Sequence, residues 1–372
     1  MQIRPFALER YFGEHEFSAP YLLCASDVEP YTLAEALALA DDETRALWDA
    51  LSLGYTETAG LPALREEIAA LYPGFEAEDV LVVVGAEEGI FAFAHATLSR
   101  GDHAIVVTPA YQSLHEVARA AGAAVTTVEL EHDGGWALEV DAVRRALRPE
   151  TRAIVVNFPH NPTGAHIDRA TLEALVDLAA QAGAHLLSDE VYRWLEHPPD
   201  ALLPGAAELA PHAVSLGVMS KTFALPGLRI GWLACRDRDL LRAAAQVRDY
   251  TTICAAAPSE VLALIALRRR DEVVARSRAI VDANLPLLDD FFARSEGRFE
   301  WARPRGAAIG FPRLVADVAI DDFARELVDE EGVLILPGSV YEHAGNHFRL
   351  GFGRRNMPEA LERLERFASA RL

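Results

Sequence analysis

Residues 151–190 read TRAIVVNFPHNPTGAHIDRATLEALVDLAAQAGAHLLSDE, and this stretch decides the fold. Ala153–Val156 is a short apolar run, suited to a strand buried on both faces. Behind it, Asn161-Pro162 breaks the chain. Ala170–Ala182 then repeats apolar residues at the spacing of a helix with one buried face. His185–Ser188 is a second apolar strand, and Asp189 ends it. Strand, helix and strand in this order indicate parallel strands joined by a crossover helix.

The same alternation extends in both directions. Val80–Val84 reads as a strand, followed by Gly85 and a helix over Glu87–Leu98. Ala104–Val107 is a strand, then come Pro109 and a helix near Ser113–Ala121. Ala124–Val128 follows, Gly134-Gly135 marks a turn, and Leu138–Leu147 is helical. Val214–Leu216 and Ile230–Ala234 are further short strands. Continuous apolar strands between helices predict an α/β fold whose mainly parallel sheet is sandwiched by helices. Ligands of such sheets bind beyond the C-terminal strand ends. Gly85, Asn161 and Asp189 each follow a strand, and Lys221 lies soon after a fourth.

Past Pro258 the pattern changes to a helical region reaching about Ala293. Short strands are expected around Phe299–Trp301, Ile309–Pro312 and Leu334–Leu336, with a final helix at Pro358–Arg371. The expected division is a large domain, 44–257, and a smaller α+β domain built from 1–43 and 258–372.

The chain has 372 residues, 51% of them hydrophobic, enough for more than one core. Its net charge is −21, and no basic run exceeds Arg268–Arg270, so nucleic acid is not an expected partner. No stretch approaches a membrane span, and the charged residues of Met1–Tyr11 do not suit a signal peptide. Cys24, Cys235 and Cys254 are few and scattered, without metal-ligand spacing, so no metal is expected and a reducing cytoplasm is the default. There is no GxGxxG and no Walker lysine motif.

Lysine and arginine total 35, yet Lys221 is the single lysine. Arginine replaces lysine as a surface cation. It cannot replace it as an amine nucleophile, because the guanidinium stays protonated. A general bias toward arginine accounts for the rarity of lysine, and a required amine accounts for the one that remains.

Six segments carry a family resemblance. They are Gly54-Tyr55 with Thr58-Ala59-Gly60-Leu61, Asn161-Pro162-Thr163-Gly164, Ser188-Asp189-Glu190-Val191-Tyr192, Ser220-Lys221-Thr222-Phe223, Gly227-Leu228-Arg229-Ile230-Gly231-Trp232 and Phe348-Arg349-Leu350-Gly351. In this order, over nearly the whole chain, they resemble the class I/II aminotransferases of pyridoxal 5′-phosphate (PLP) fold type I. The resemblance implies a transaminase that moves an amino group between an L-amino acid and a 2-oxo acid through a Lys221 aldimine. It also implies a homodimer.

By this resemblance Lys221 is the Schiff-base lysine and proton shuttle. Asp189 pairs with the pyridine nitrogen, keeping the ring an electron sink. Tyr192 and Asn161 bond the phenolic oxygen, and Tyr111 stacks on the ring. Free amides at Gly85, Ala86 and Glu87 receive the phosphate, with Ser220 and Arg229. Tyr55 reaches the phosphate from the partner subunit. Arg349 forks onto the substrate α-carboxylate, where Asn161 also contributes. Taken singly, several have plainer uses: Asp189 as a turn aspartate, Asn161 as an Asn-Pro turn, Tyr192 and Tyr111 as core tyrosines, and Arg349 in an internal salt bridge. Val218 stands where many members carry a phosphate-binding serine.

The substrate is less legible. Ser26, Asp27, Val28 and Glu29 fall where the family lines its side-chain pocket. The two carboxylates suit a cationic side chain, or form a solvated acidic loop. An elimination or cyclisation enzyme, of the β-lyase or capreomycidine synthase kind, shares the same fold and chemistry. The run Val155–Pro162 is similar to the latter enzyme. A PLP-sensing regulator would need a fused DNA-binding module, of which the sequence shows no sign.

Overall fold

Asp168 and Gly183 bound the helix at the centre of the opening stretch. The Asp168 carboxylate accepts from the Thr171 amide, and Gly183 ends the helix in the left-handed conformation at φ 62°. Between them Leu172, Leu175, Val176, Leu178 and Ala179 turn one face inward. A computed structural model describes this and the rest of residues 3–372. Residues 1 and 2, the start of the 1–43 segment, lie outside the described residues.

Seven strands form one sheet: β1 (Val80–Val83), β2 (His103–Thr108), β3 (Ala124–Glu129), β4 (Thr151–Asn157), β5 (His185–Asp189), β6 (Ala213–Val218) and β7 (Gly231–Ala234). Their order is β1-β7-β6-β5-β4-β2-β3. Neighbours from β3 to β6 pair in parallel, while β7 is antiparallel to both β1 and β6. The sheet is therefore mainly parallel with helices on its faces, as the sequence predicts.

The reversal of β7 has a local consequence. Its first residue, Gly231, pairs with Val83 and Val218, the last residues of β1 and β6. The segment before β7, carrying Arg229, thus meets the same sheet edge as the loops after β1, β4, β5 and β6. Asn157 and Asp189, the last residues of β4 and β5, are directly paired there.

The other strands are two residues long except the last: β8 (Phe299–Glu300), β9 (Ile309–Gly310), β10 (Arg313–Leu314), β11 (Leu336–Pro337) and β12 (Phe348–Gly351). They form a β11-β12-β9 sheet and a β10-β8 pair. Their core includes Phe323, Leu327, Phe348, Leu350 and Leu364, with Leu23 and Val28 from the N-terminal segment. The expected single helical region after Pro258 is two helices, Ala257–Arg268 and Arg270–Arg294. The break at Arg269 follows from divided packing. Val261 and Leu264 of the first helix join Leu64 and Trp232, whereas Leu285 and Leu288 of the second join the small core. The expected helix 138–147 shortens to Val140–Ala146.

Gly231 tests the sheet edge. A Cβ there would lie 2.8 Å from the Gly85 carbonyl carbon and 3.0 Å from the Gly217 oxygen, both backbone. Gly231→Ala is expected to cost about 1–3 kcal/mol of stability through overpacking. Gly227→Ala, where nothing lies within 4 Å, serves as control. Urea denaturation checks the pair; equal midpoints for both variants would refute the steric account.

Candidate active site

A cavity of about 370 Å³ opens on the C-terminal edge of the sheet, between the large sheet and β12. Lys221, Asp189, Tyr192, Asn161, Tyr111, Ala86, Glu87, Ser220, Arg229 and Arg349 all line it. The structure thus brings together nearly every residue named from sequence. Val218 lines it too. Gly85 lies just behind, under Arg229. Tyr55 does not reach this cavity; in the single chain it is 92% exposed.

The phosphate end is built by a turn. Gly85 has φ 71° and starts the helix Gly85–Thr97, leaving its first amides without helical acceptors. A Cβ on Gly85 would come within 2.5 Å of Arg229 Nη2, so only glycine lets the guanidinium sit there. Arg229 itself is held in the left-handed region at φ 53° and donates to the Pro226 carbonyl at 3.0 Å. Ser220 Oγ lies 3.5 Å from Arg229 Nη1.

At the centre, Lys221 Nζ donates to Ser26 Oγ at 2.8 Å. Burial lowers the Lys221 amine to about 8; the nearby Asp27 charge opposes that shift, and Arg349 reinforces it. Asp189 takes one hydrogen bond on its carboxylate, from the Val191 amide at 3.2 Å. Burial pushes its carboxyl up to about 7. Tyr192 is 1% exposed, and its hydroxyl has no hydrogen-bond partner among the described residues.

The far wall carries Arg349, which is 2% exposed. Nε donates to the Cys24 carbonyl at 3.0 Å, and Nη1 donates to Tyr341 Oη at 2.6 Å and Asn161 Oδ1 at 3.2 Å. No carboxylate pairs with it among the described residues, so the internal salt bridge allowed by the sequence is absent there. Tyr341 Oη in turn donates to Asn161 Oδ1 at 3.1 Å. Both bonds fall on the oxygen, which leaves the Asn161 amide nitrogen as the free donor.

The model of aminotransferase class I and II matches residues 27–364. The chain belongs to this family. It is 32% identical to the aspartate/prephenate aminotransferase of Thermus thermophilus, over 95% of this chain and 89% of that protein. It is 34% identical to the capreomycidine synthase of Streptomyces vinaceus, over 93% of this chain and 88% of that protein. A PLP-dependent aminotransferase from Streptococcus suis superposes with a TM-score of 0.93 at 32% identity, covering all of this chain and 99% of that one.

The aminotransferase cavity fits the cofactor its family implies. An amine, a buried carboxylate, an orphaned phenol and a glycine turn capped by arginine are the donor set such a molecule requires. Sequence reasoning missed Tyr341, Phe12 and Glu16. Tyr341 lies eight residues before Arg349, in a turn with no motif of its own. Phe12 and Glu16 come from a helix, Ala7–His15 and its last cap, whose facing becomes visible only when packed. Asp27 lines the cavity, but Arg354 Nη2 binds both its oxygens at 2.9 Å. Glu29 is outside, with its carboxylate accepting from the Arg355 amide at 3.2 Å. These two carboxylates together do not form the cation receptor considered from sequence.

Two outcomes follow from this geometry. Tyr341→Phe removes an acceptor from Arg349, and KM for the amino acid is expected to rise about tenfold, with a smaller change in kcat. A fall in kcat at constant KM in steady-state assays would refute a positioning role. The second concerns pH. An amine held near 8 is mostly charged at pH 7 and mostly neutral at pH 9. PLP capture by the apoenzyme, followed by its visible band, is therefore expected to accelerate through pH 8 and then level. A rate still climbing steeply at pH 10 would mean the amine is not depressed.

Proposed function

We propose that this aminotransferase binds PLP on Lys221 and exchanges amino groups between an L-amino acid and a 2-oxo acid. The observation that carries the proposal is the pairing of two unmet needs in one cavity. The protein's one primary side-chain amine shares the cavity with a buried guanidinium that has no carboxylate partner among the described residues. The first suits a carbonyl cofactor, and the second suits a substrate carboxylate.

When bound, PLP supplies an aldehyde and a ring that accepts electrons from the substrate carbon. The protein's residues have the following proposed parts. Lys221 Nζ would hold the cofactor, and its free amine would take and return the proton of the substrate α-carbon. Asp189 holds a proton on the pyridine nitrogen; the cation so retained favours its ionised form over the neutral one. Tyr192 Oη and the Asn161 amide nitrogen donate to the phenolic oxygen. Tyr111, whose ring lies 4.9 Å from Phe6, packs against the cofactor ring. The amides of Gly85, Ala86 and Glu87 take the phosphate with Ser220 and Arg229. Val218 offers no hydroxyl there, which puts more weight on those groups. Arg349 fixes the α-carboxylate and, with it, the direction of the bond to be broken.

A homodimer belongs to the proposal. Leu53, Tyr55, Tyr250 and Ile253 are exposed, and the two segments that carry them are joined by the Thr56 hydroxyl on the Ala255 carbonyl at 3.0 Å. A second copy covering this patch would remove apolar surface from water and carry Tyr55 to a neighbouring phosphate site. The proposed units are 44–257, and 1–43 with 258–372; the helix Ala257–Arg268 packs across their seam onto the larger unit. A cytoplasmic location is supported by three cysteines that are all free. Among the described residues, no helix is long and apolar enough to cross a membrane.

The relation to capreomycidine synthase supports a second reading, elimination or cyclisation in the same cavity. One experiment separates the two. Holoenzyme mixed with single amino acids, without a keto acid, is expected to lose its aldehyde band and release a 2-oxo acid. Ammonia release with the band retained would favour elimination. Borohydride is expected to fix a pyridoxyl group on the peptide containing Lys221, and Lys221→Ala to abolish turnover. A reduced digest with no such peptide would overturn the cofactor assignment.

A further inference from the structure

Resting on the transaminase reading, the cavity walls carry information about the substrate side chain. Three cations line the cavity, and each has a place in the reading above: Lys221, Arg229 and Arg349. Five acids line it as well, and they are not all so occupied. Glu87 lies at the phosphate turn beside Gly85, and burial pushes its carboxyl up to about 7, so it offers a weaker charge than an ionised carboxylate. Asp189 is assigned to the pyridine nitrogen and Asp27 is bound by Arg354. The Glu16 carboxylate lines the cavity and makes no hydrogen bond or ion pair among the described residues. Glu9, also on the wall, has only the Tyr111 hydroxyl, 3.4 Å away.

Glu16 is not a stray surface charge. Leu8, Phe12 and Glu16 share one face at four-residue spacing, and all three line the cavity. Glu16 is half-buried, and its carboxyl is raised by burial and by the neighbouring Glu9 and Asp27 charges, against the opposing pull of Arg354 and Lys221. The cavity also receives the orphaned hydroxyl of the buried Tyr192, so it is a built ligand site and not an acidic surface patch. A half-buried carboxylate with two acids beside it and no hydrogen-bond partner gains from a cation that joins it.

The spacing selects the ligand. The Phe12 ring lies 5.9 Å from the Arg349 guanidinium carbon. Glu16 follows one helical turn later, about 6 Å along the axis. A carboxylate held at Arg349 leaves a side chain to run past Phe12 toward Glu16. Three or four methylenes against the aromatic ring, ending in a positive group, match an apolar stretch followed by an acid. We propose that the amino donor is a basic α-amino acid, with a guanidinium or terminal ammonium group read by Glu16 and supported by Glu9.

The test uses holoenzyme in two forms. Single-turnover conversion is compared for L-arginine, L-ornithine and L-lysine against L-norleucine, a neutral chain of similar reach. The basic amino acids are expected to react with at least about tenfold higher efficiency, and Glu16→Gln to cut the arginine-to-norleucine ratio about tenfold, the size of one lost charged hydrogen bond. Glu16→Lys is expected to invert the preference. Norleucine matching arginine in the native protein, or a ratio unmoved by Glu16→Gln, would overturn the proposal. Borohydride-reduced holoenzyme, which cannot turn over, separates recognition from reaction. Calorimetry with L-arginine and L-norleucine is expected to show the same preference there. Tighter arginine binding without transamination would sink the transaminase reading and keep this one, while equal binding would sink this one alone.

Discussion

Asp189 and Arg349 are both buried in one cavity, and neither neutralises the other. Asp189 ends β5, fixed by the parallel sheet. Arg349 sits on β12 in the smaller sheet. Folding that removes a carboxylate and a guanidinium from water without pairing them sacrifices stability. The sacrifice is sensible only where a ligand brings the opposite charge to each. A molecule with a cationic ring nitrogen at one end and a partner carboxylate at the other restores the balance at both. Lys221 lines the same cavity and feels both charges.

Why the poles face one another is a matter of topology. Parallel strands point their C-terminal ends to one edge, so Asn157, Asp189 and Val218 end together. The antiparallel β7 adds its N-terminal approach to the same edge and delivers Arg229 opposite Gly85. A glycine at φ 71°, which only glycine adopts freely, meets an arginine at φ 53°, a conformation that costs a non-glycine residue free energy.

Much of this was legible before any coordinates. The four buried strands from β4 to β7 announce themselves as apolar runs, and residues soon after β4, β5 and β6 line the cavity. Lys221 stood out because the alternative cation had displaced lysine everywhere else. Legibility failed where packing, and not local pattern, sets the facing. Tyr341 looks like any turn tyrosine until β12 places Arg349 2.6 Å away. Glu16 looks like surface charge until its helix docks. Asp27 looked available to a ligand, and the distant Arg354 occupies it. The break at Arg269 was invisible because apolar residues continue through both helices, buried all round over residues 261–267 and on one side after it; only the two cores they join tell them apart.

The Arg349 network also explains why the site spans the whole chain. The guanidinium is held by Cys24 from the N-terminal segment, Asn161 from the loop after β4 and Tyr341 from the turn before β12. No one segment can orient it alone. Asn161 is shared further, since its amide nitrogen remains to face the cavity while its oxygen accepts from Arg349 and Tyr341. A shift of the small sheet that moves Arg349 therefore also turns a donor on the cavity wall. Under the proposed roles, carboxylate recognition and cofactor polarisation are coupled through one amide, and the coupling requires no contact between the two ligands.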